Sequence, residues 1–201
     1  MKNKKSLTLL VFLLLFIGFI FVNESLSKYI GSVETSGNKE VALWKIKLND
    51  ETVSGSLTNT LDVTFEVEEN PNVLSGKIAP NTRMYADFYI DPTDTEVAFE
   101  YEFELGEITI DKGTLPDGIV FEKVVLIENN TETEITKVDG VYNGTKLLPS
   151  TTTPFTIDDT VHIRVYIKWE NDETYNEVDT LAGSSETKVT MPITVTIQQH
   201  I

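Results

Sequence analysis

Few residues in this chain could do acid–base or metal chemistry. Histidine occurs only at His162 and His200, and cysteine does not occur at all. A zinc peptidase needs two imidazoles presented together, commonly as His-Glu-x-x-His on a helix, and that spacing is absent. A cysteine nucleophile is excluded. A serine triad would have to recruit one of the two histidines without a Gly-x-Ser-x-Gly elbow, and there is no glycine-rich phosphate loop. Carboxylates are plentiful: 32 Asp and Glu against 16 Lys and Arg give a formal charge of −16. A glycosidase pair needs only two carboxyl groups at a fixed separation, leaves no local motif, and so stays open. No catalytic residue is assigned, and the expectation is a protein that is not an enzyme.

The best-supplied ligand site is an acidic loop from Glu170 to Ala182. Glu170, Asp172, Glu173, Glu177 and Asp179, with Asn171 and Asn176, offer the hard oxygen donors that suit calcium. Their order lacks the Asp-x-Asp-x-Asp-Gly spacing of an EF-hand, so the site expected is a weak calcium site, set against a plain solvated loop. Glu96, Glu100, Glu102 and Glu104 form a second acidic row. They alternate with apolar residues, which reads as the wet face of a strand.

The elements that would position these groups follow an N-terminal address. Lys2, Lys4 and Lys5 precede an apolar run from Leu7 to Val22 broken only by Thr8 and Gly18. At 16 residues the run is short for a membrane span of about 20, and Ser25-Leu26-Ser27 offers a small-x-small cleavage site. Residues 1–27 therefore read as a signal-peptide helix cut between Ser27 and Lys28, against the alternative of an uncleaved anchor. Removing it takes away three lysines and one glutamate and leaves −18 over 174 residues. Such a charge repels nucleic acid and anionic membrane surfaces, and suits a soluble extracellular protein.

Residues 28–40 read as a flexible arm carrying Tyr29, Ile30 and Val33, and residues 41–201 as a single domain. The domain pattern is strand-like throughout. The central stretch, Lys77 to Leu105, reads as a β-hairpin: Met84 to Ile90, a turn at Asp91-Pro92-Thr93-Asp94-Thr95, then Glu96 to Leu105 with Val97, Phe99, Tyr101, Phe103 and Leu105 inward. Before it come strands at Val41 to Leu48 and Leu61 to Val67, joined by a polar connection from Asn49 to Thr60. After it come Ile119 to Ile127, nearly continuously apolar and expected to be covered on both sides in part, and a tight turn at Asp139-Gly140 between Ile135–Val138 and Val141-Tyr142. A loop from Asn143 to Pro154 precedes Val161 to Trp169, with His162, Arg164, Tyr166 and Lys168 outward. Last is Val189 to Ile197, where Pro192 suggests an edge strand or a bulge. With no amphipathic helical period, the fold expected is an all-β antiparallel sandwich of jelly-roll or Ig-like type.

Four stretches together resemble a known family. Ser27-Lys28-Tyr29-Ile30, Val41-Ala42-Leu43-Trp44-Lys45-Ile46, Ile78-Ala79-Pro80-Asn81 and Thr95-Glu96-Val97-Ala98-Phe99-Glu100-Tyr101 are similar to the exported Firmicutes proteins related to TasA and camelysin. The likeness covers Met1 to Leu105 and is patchy beyond. Two departures are local: Asn81 stands where a glycine would follow the proline, and Asp91-Pro92-Thr93-Asp94 replaces an Asn-rich turn.

The resemblance implies a jelly-roll sandwich, export through a dedicated signal peptidase, and a structural role at the cell surface or in an extracellular biofilm matrix. It also implies fibres in which the N-terminal segment of one subunit completes the sheet of the next, with Tyr29, Ile30 and Val33 as the partner-binding residues. The partners expected are other copies or surface and matrix proteins, with no membrane contact after processing. Two other readings stay open: a monomeric surface adhesion or ligand-binding module, and a metallopeptidase like camelysin, for which no zinc motif is readable. Mass spectrometry of the exported protein tests the address, with an intact mass beginning at Lys28 expected and retention of residues 1–27 contradicting it.

Overall fold

The computed structural model describes residues 41–53, 58–171 and 188–200. The chain divides into two units, Met1–Val41 and Ala42–Ile201, and the fold described is that of the second. Its strands in chain order are β1 (Lys47–Leu48), β2 (Glu51–Thr52), β3 (Thr58–Thr64), β4 (Glu66–Val67), β5 (Arg83–Asp91) and β6 (Phe99–Leu105). They continue as β7 (Thr109–Ile110), β8 (Ile119–Glu128), β9 (Thr131–Ile135), β10 (Tyr142–Lys146), β11 (Val161–Trp169) and β12 (Val189–Gln199). Two antiparallel sheets pack together. One has seven strands in the order β2-β1-β5-β11-β8-β9, with β4 also on β5; the other has five, in the order β10-β6-β12-β3, with β7 also on β12.

Alternation builds the core. Met84, Ala86, Phe88 and Ile90 of β5 and Ile163, Val165 and Ile167 of β11 turn inward from one sheet; Phe99, Phe103, Met191, Ile193, Val195 and Ile197 face them from the other. Phe88 and Phe103 meet edge to face with ring centroids 5.1 Å apart.

That contact corrects the central hairpin. β5 and β6 do not pair; they lie in different sheets, and the chain crosses between them over residues 92–98. A hairpin turning at residues 91–95 would set Phe88 opposite Ala98 and Phe103 opposite Arg83 in one sheet, whereas Phe88 and Phe103 meet across the core from different sheets. The crossing is a built corner. The Thr95 hydroxyl is fully buried, donates to the Lys45 carbonyl and accepts the Lys45 N–H at 3.1 Å. Asp91 accepts the Thr93 N–H, and Asp94 takes a left-handed φ of 71°.

The corner also explains why the expected strand Val41 to Leu48 shrinks to β1. Leu43 and Lys45 give their backbone groups to Glu96 and Thr95, so only Lys47 and Leu48 remain for the ladder with β5. Three further expectations change. The connection from Asn49 to Thr60 contains β2 and the start of β3. The loop from Asn143 to Pro154 begins as β10, paired with β6. β12 is an interior strand between β6 and β3, not an edge.

Pro192 is tolerated in β12 because its backbone faces the β6 side, where the neighbouring chain leaves the ladder. The Gly106 N–H donates to the Pro192 carbonyl at 2.8 Å, and β7 resumes pairing two residues back along β12. A Cβ at Gly106 would stand 2.5 Å from the proline ring, so glycine is required there.

The Asp139-Gly140 turn is present, with φ of 53° and 94° and paired Val138–Val141 backbone hydrogen bonds. Asn81 adopts φ 67°, the left-handed backbone that favours a glycine and that asparagine tolerates. β8 carries a bulge at Glu122: Lys123 opposes Tyr166 and Phe121 opposes Ile167. Ile119 and Phe121 thereby stay on the inner face with Val124 and Leu126, although their sequence parity differs. Val124 and Val125 are both buried, as expected for a strand covered on both sides.

Truncating either partner of the inter-sheet aromatic contact should cost about 3 to 5 kcal/mol of unfolding free energy. The double variant Phe88→Ala/Phe103→Ala should lose less than the two single losses added, by about 0.5 to 1.5 kcal/mol. Urea unfolding of the three variants measures this, and strict additivity would place the two rings out of contact.

Candidate functional site

Two features of the sandwich offer themselves for function: the charged outer face of the seven-stranded sheet, and the edges of both sheets. On the outer face, alternation that buries Met84, Ala86 and Phe88 turns Arg83, Tyr85, Asp87 and Tyr89 of β5 outward, beside His162, Arg164 and Tyr166 of β11. The outward set of β11 is where sequence placed it, but Tyr166 is buried there under its neighbours.

Arg164 grips Asp87 with both arms, Nε to Oδ1 at 2.7 Å and Nη2 to Oδ2 at 2.9 Å. The Arg164 guanidinium also lies 4.1 Å over the Tyr85 ring, and Arg83 lies 3.9 Å over Tyr166. Each phenol then reaches a carboxylate: Tyr85 donates to Glu66 at 2.9 Å and Tyr166 to Glu132 at 2.5 Å. Arg83 completes the pattern through Glu122 at 2.6 Å and Glu68 at 3.5 Å.

The result is a lattice of alternating cations, rings and carboxylates that spans β4, β5, β11, β8 and β9. Burial opposes ionisation of Asp87, but the Arg164 fork and then the adjacent His162 hold its carboxyl below the usual carboxylate range. The hydrogen bond to Glu66, with burial, pushes the Tyr85 phenol up; burial and then Glu132 do the same to Tyr166.

His162 stacks on Tyr89 with centroids 4.4 Å apart, and its Nε2 lies 3.0 Å from Asp87 Oδ1. That nitrogen is buried and forms no hydrogen bond, although it lies beside the Asp87 carboxylate. No serine or threonine hydroxyl joins this pair through any hydrogen bond described. His200 pairs instead with Glu100 at the far end of the other sheet. Among the described residues, no group of three or more His, Asp or Glu side chains could hold a metal ion. The lattice is built for cohesion: its charges are spent on one another.

The other outer face differs. Thr58, Thr60 and Thr109 meet Thr196, Thr194 and Thr190 of β12 through hydroxyl pairs at 3.0, 3.2 and 3.0 Å. Glu102 and Glu104 of β6 stand exposed beside them, while Glu100 binds His200 and Gln198. The acidic row is thus solvated in its larger part.

The four outermost strands are unequal. β9 is short and carries Glu132 and Glu134, and β2 is two residues long. Edges of this kind resist pairing with other chains. β3 is seven residues with a single charge, Asp62, and among the described residues it pairs only with β12. The Phe65 N–H donates to the Val189 carbonyl, which fixes the odd residues of β3 as those facing β12. Thr60, Asp62 and Thr64 consequently turn their N–H and C=O groups to the open side. The expected strand Leu61 to Val67 divides at Phe65 into β3 in one sheet and β4 in the other, and which strands end a sheet likewise depends on pairings that no local signal carries.

Of the residues singled out from sequence, Glu170 forms an ion pair with Lys168 at 2.7 Å. Asp172, Glu173, Glu177 and Asp179 lie outside the described residues, as do Tyr29, Ile30 and Val33 and the Ser27–Lys28 cleavage site. Comparison with protein-family models, curated proteins and solved structures finds no match for the chain.

The Asp87–Arg164 pair sets a pH dependence. A carboxyl whose folded-state pKa is depressed stabilises fully above its unfolded value near pH 4, and that contribution is lost as pH falls through the folded value. Asp87→Asn should cost about 2 kcal/mol at neutral pH, less than a fully buried pair would, by leaving Arg164 uncompensated. It should also flatten the acid side of the stability profile, which urea unfolding between neutral and strongly acid pH reads directly. An unchanged acid slope would contradict the assignment.

Proposed function

We propose that the protein is a secreted structural component of the cell surface or extracellular matrix that assembles by strand addition along β3. The observation that carries the reading is the edge of β3, seven residues with one charge and, among the described residues, paired on one side only, longer than the two to five residues of the other terminal strands β2, β9 and β10. An extended segment laid against Thr60, Asp62 and Thr64 would satisfy their backbone groups and add a strand to the five-stranded sheet. The donor in this reading is the arm of residues 28–40 of a neighbouring copy, with Tyr29, Ile30 and Val33 supplying side-chain anchors.

The likeness to TasA-related exported proteins supports the same reading, and so does the formal charge, which suits a protein working in water outside the cell. Within it the sandwich is of the jelly-roll type. The repeated crossing of the chain between sheets, from β3 to β4, β5 to β6 and β9 to β10, supports that finer assignment.

Negative-stain microscopy and sedimentation test the proposal. Protein beginning at Lys28 should form filaments, and protein beginning at Val41 should stay dispersed. Thr60→Pro, placed where an edge strand tolerates proline, should leave the monomer folded and abolish filaments. Filaments from the chain beginning at Val41, or from Thr60→Pro, would overturn it.

A further inference from the structure

A cleft of about 370 Å³ opens at the margin of the sandwich where β6 gives way to β7. It opens on the β6–β7 side of β12, although its lining residue Met191 is paired with Val63 of β3, and it has no part in the assembly reading. Leu105, Gly106, Ile108, Phe121, Lys137, Tyr142 and Met191 line it, all of them described residues.

Three departures from regular sheet make the space. Pro192 and Gly106 end the β6–β12 ladder, so the chain through Ile108 swings clear before β7 pairs again. The bulge at Glu122 keeps Phe121 on the inner face at the sandwich margin, where it remains 43% exposed. The Asp139-Gly140 turn, closed by its Val138–Val141 hydrogen bonds, carries the chain past the opening and brings Lys137 to its rim. Tyr142, stacked on Phe103 at 4.9 Å, and Met191 are buried and form the floor.

The chemistry of this lining is uneven in a particular way. Every wall and floor residue is apolar or aromatic except one ammonium. Lys137 sits 5.5 Å from the centre of the Tyr142 ring, and among the described residues it has no carboxylate partner. Lys112, Lys146 and Lys188 likewise have no ion pair among the described residues; Lys137 is the one of these four that lines the cleft. Burial and then the charge of Glu134 raise the Tyr142 phenol, which stays a neutral hydrogen-bond donor beside the Lys137 ammonium. The volume falls at the small end of the range of about 300 to 1,000 Å³ in which small-molecule sites lie, and such sites are mostly apolar with a few placed polar groups.

We infer that this cleft is a binding site for a small amphipathic anion, an aryl or short alkyl carboxylate, with its apolar body on Met191, Phe121 and Ile108 and its carboxylate on Lys137. The size favours a single ring or short chain. Phe121, partly exposed at the cleft, is the surface such a body would cover.

Methionine-methyl NMR, in solution for dispersed protein and under magic-angle spinning for filaments, tests this on the chain beginning at Lys28, whose methionines are Met84 and Met191. The probes are 3-phenylpropionate and its neutral counterpart 3-phenylpropanamide. The acid should shift the Met191 methyl saturably and leave the fully buried Met84 methyl unmoved. The amide should bind about five-fold more weakly, the worth of one exposed ion pair. Lys137→Met should remove that preference while still binding the amide, and Lys137→Arg should keep it. A Met191 methyl unmoved up to the solubility of the acid would overturn the inference. So would Met84 and Met191 shifting together, equal binding of acid and amide, or a preference for the acid that survives Lys137→Met.

Discussion

The passage of the chain from one sheet to the other between Asp91 and Phe99 governs the rest of the architecture. Two strongly alternating strands separated by a short polar turn would ordinarily pair. Here the turn residues are recruited instead by the segment before β1: a buried threonine hydroxyl binds the Lys45 backbone on both sides, and Phe155 closes the corner from below through hydrogen bonds to Asp94 and Thr95. With the corner fixed, β5 and β6 present their apolar faces to each other across the core, and Phe88 meets Phe103. β5 then takes β11 on one side and shares its other side between β4 and β1, while β6 takes β10 and β12. The sequence of partners leaves β3 at the end of the five-stranded sheet.

The two outer faces consequently do different work. On the seven-stranded sheet, alternation aligns the outward residues of β5 and β11 so that arginines lie on tyrosines and tyrosines reach glutamates. Bidentate and stacked geometry of this kind is what arginine supplies and lysine does not. Both arginines of the chain are used there. The five-stranded sheet shows threonine pairs and free glutamates, a face that adds cross-strand cohesion without consuming charge. Among the described residues, neither face gathers a nucleophile, base and orienting group.

Much of this fold was legible because burial follows a period of two. Val161 to Trp169 and Val189 to Ile197 bury the residues their alternation names, and Asp139-Gly140 turns as its backbone requirement dictates. The failures share one cause, which is that pairing is non-local. The turn after Ile90 has the composition of a hairpin loop, and only the Thr95–Lys45 bonds reveal a corner. Ile119 to Ile127 read as nearly continuously apolar, and its alternation was obscured because a bulge at Glu122 switches its parity, placing Phe121 and Val124 on one face. Pro192 argued for an edge or a bulge, yet a glycine just past the end of β6 makes an interior position tolerable. The lattice around Asp87 was half visible, since the outward residues of β11 were readable but their partners on β5, β8 and β9 were fixed only by register.

Hydrogen exchange resolved to single amides tests most directly the claim that β3 is an open edge used for assembly. In dispersed protein, Thr60, Asp62 and Thr64 should exchange rapidly while Leu61 and Val63, which face β12, are protected. In assembled material the even-numbered amides should become protected as well. Slow exchange at Thr60 and Asp62 in the dispersed protein, or no change on assembly, would contradict it.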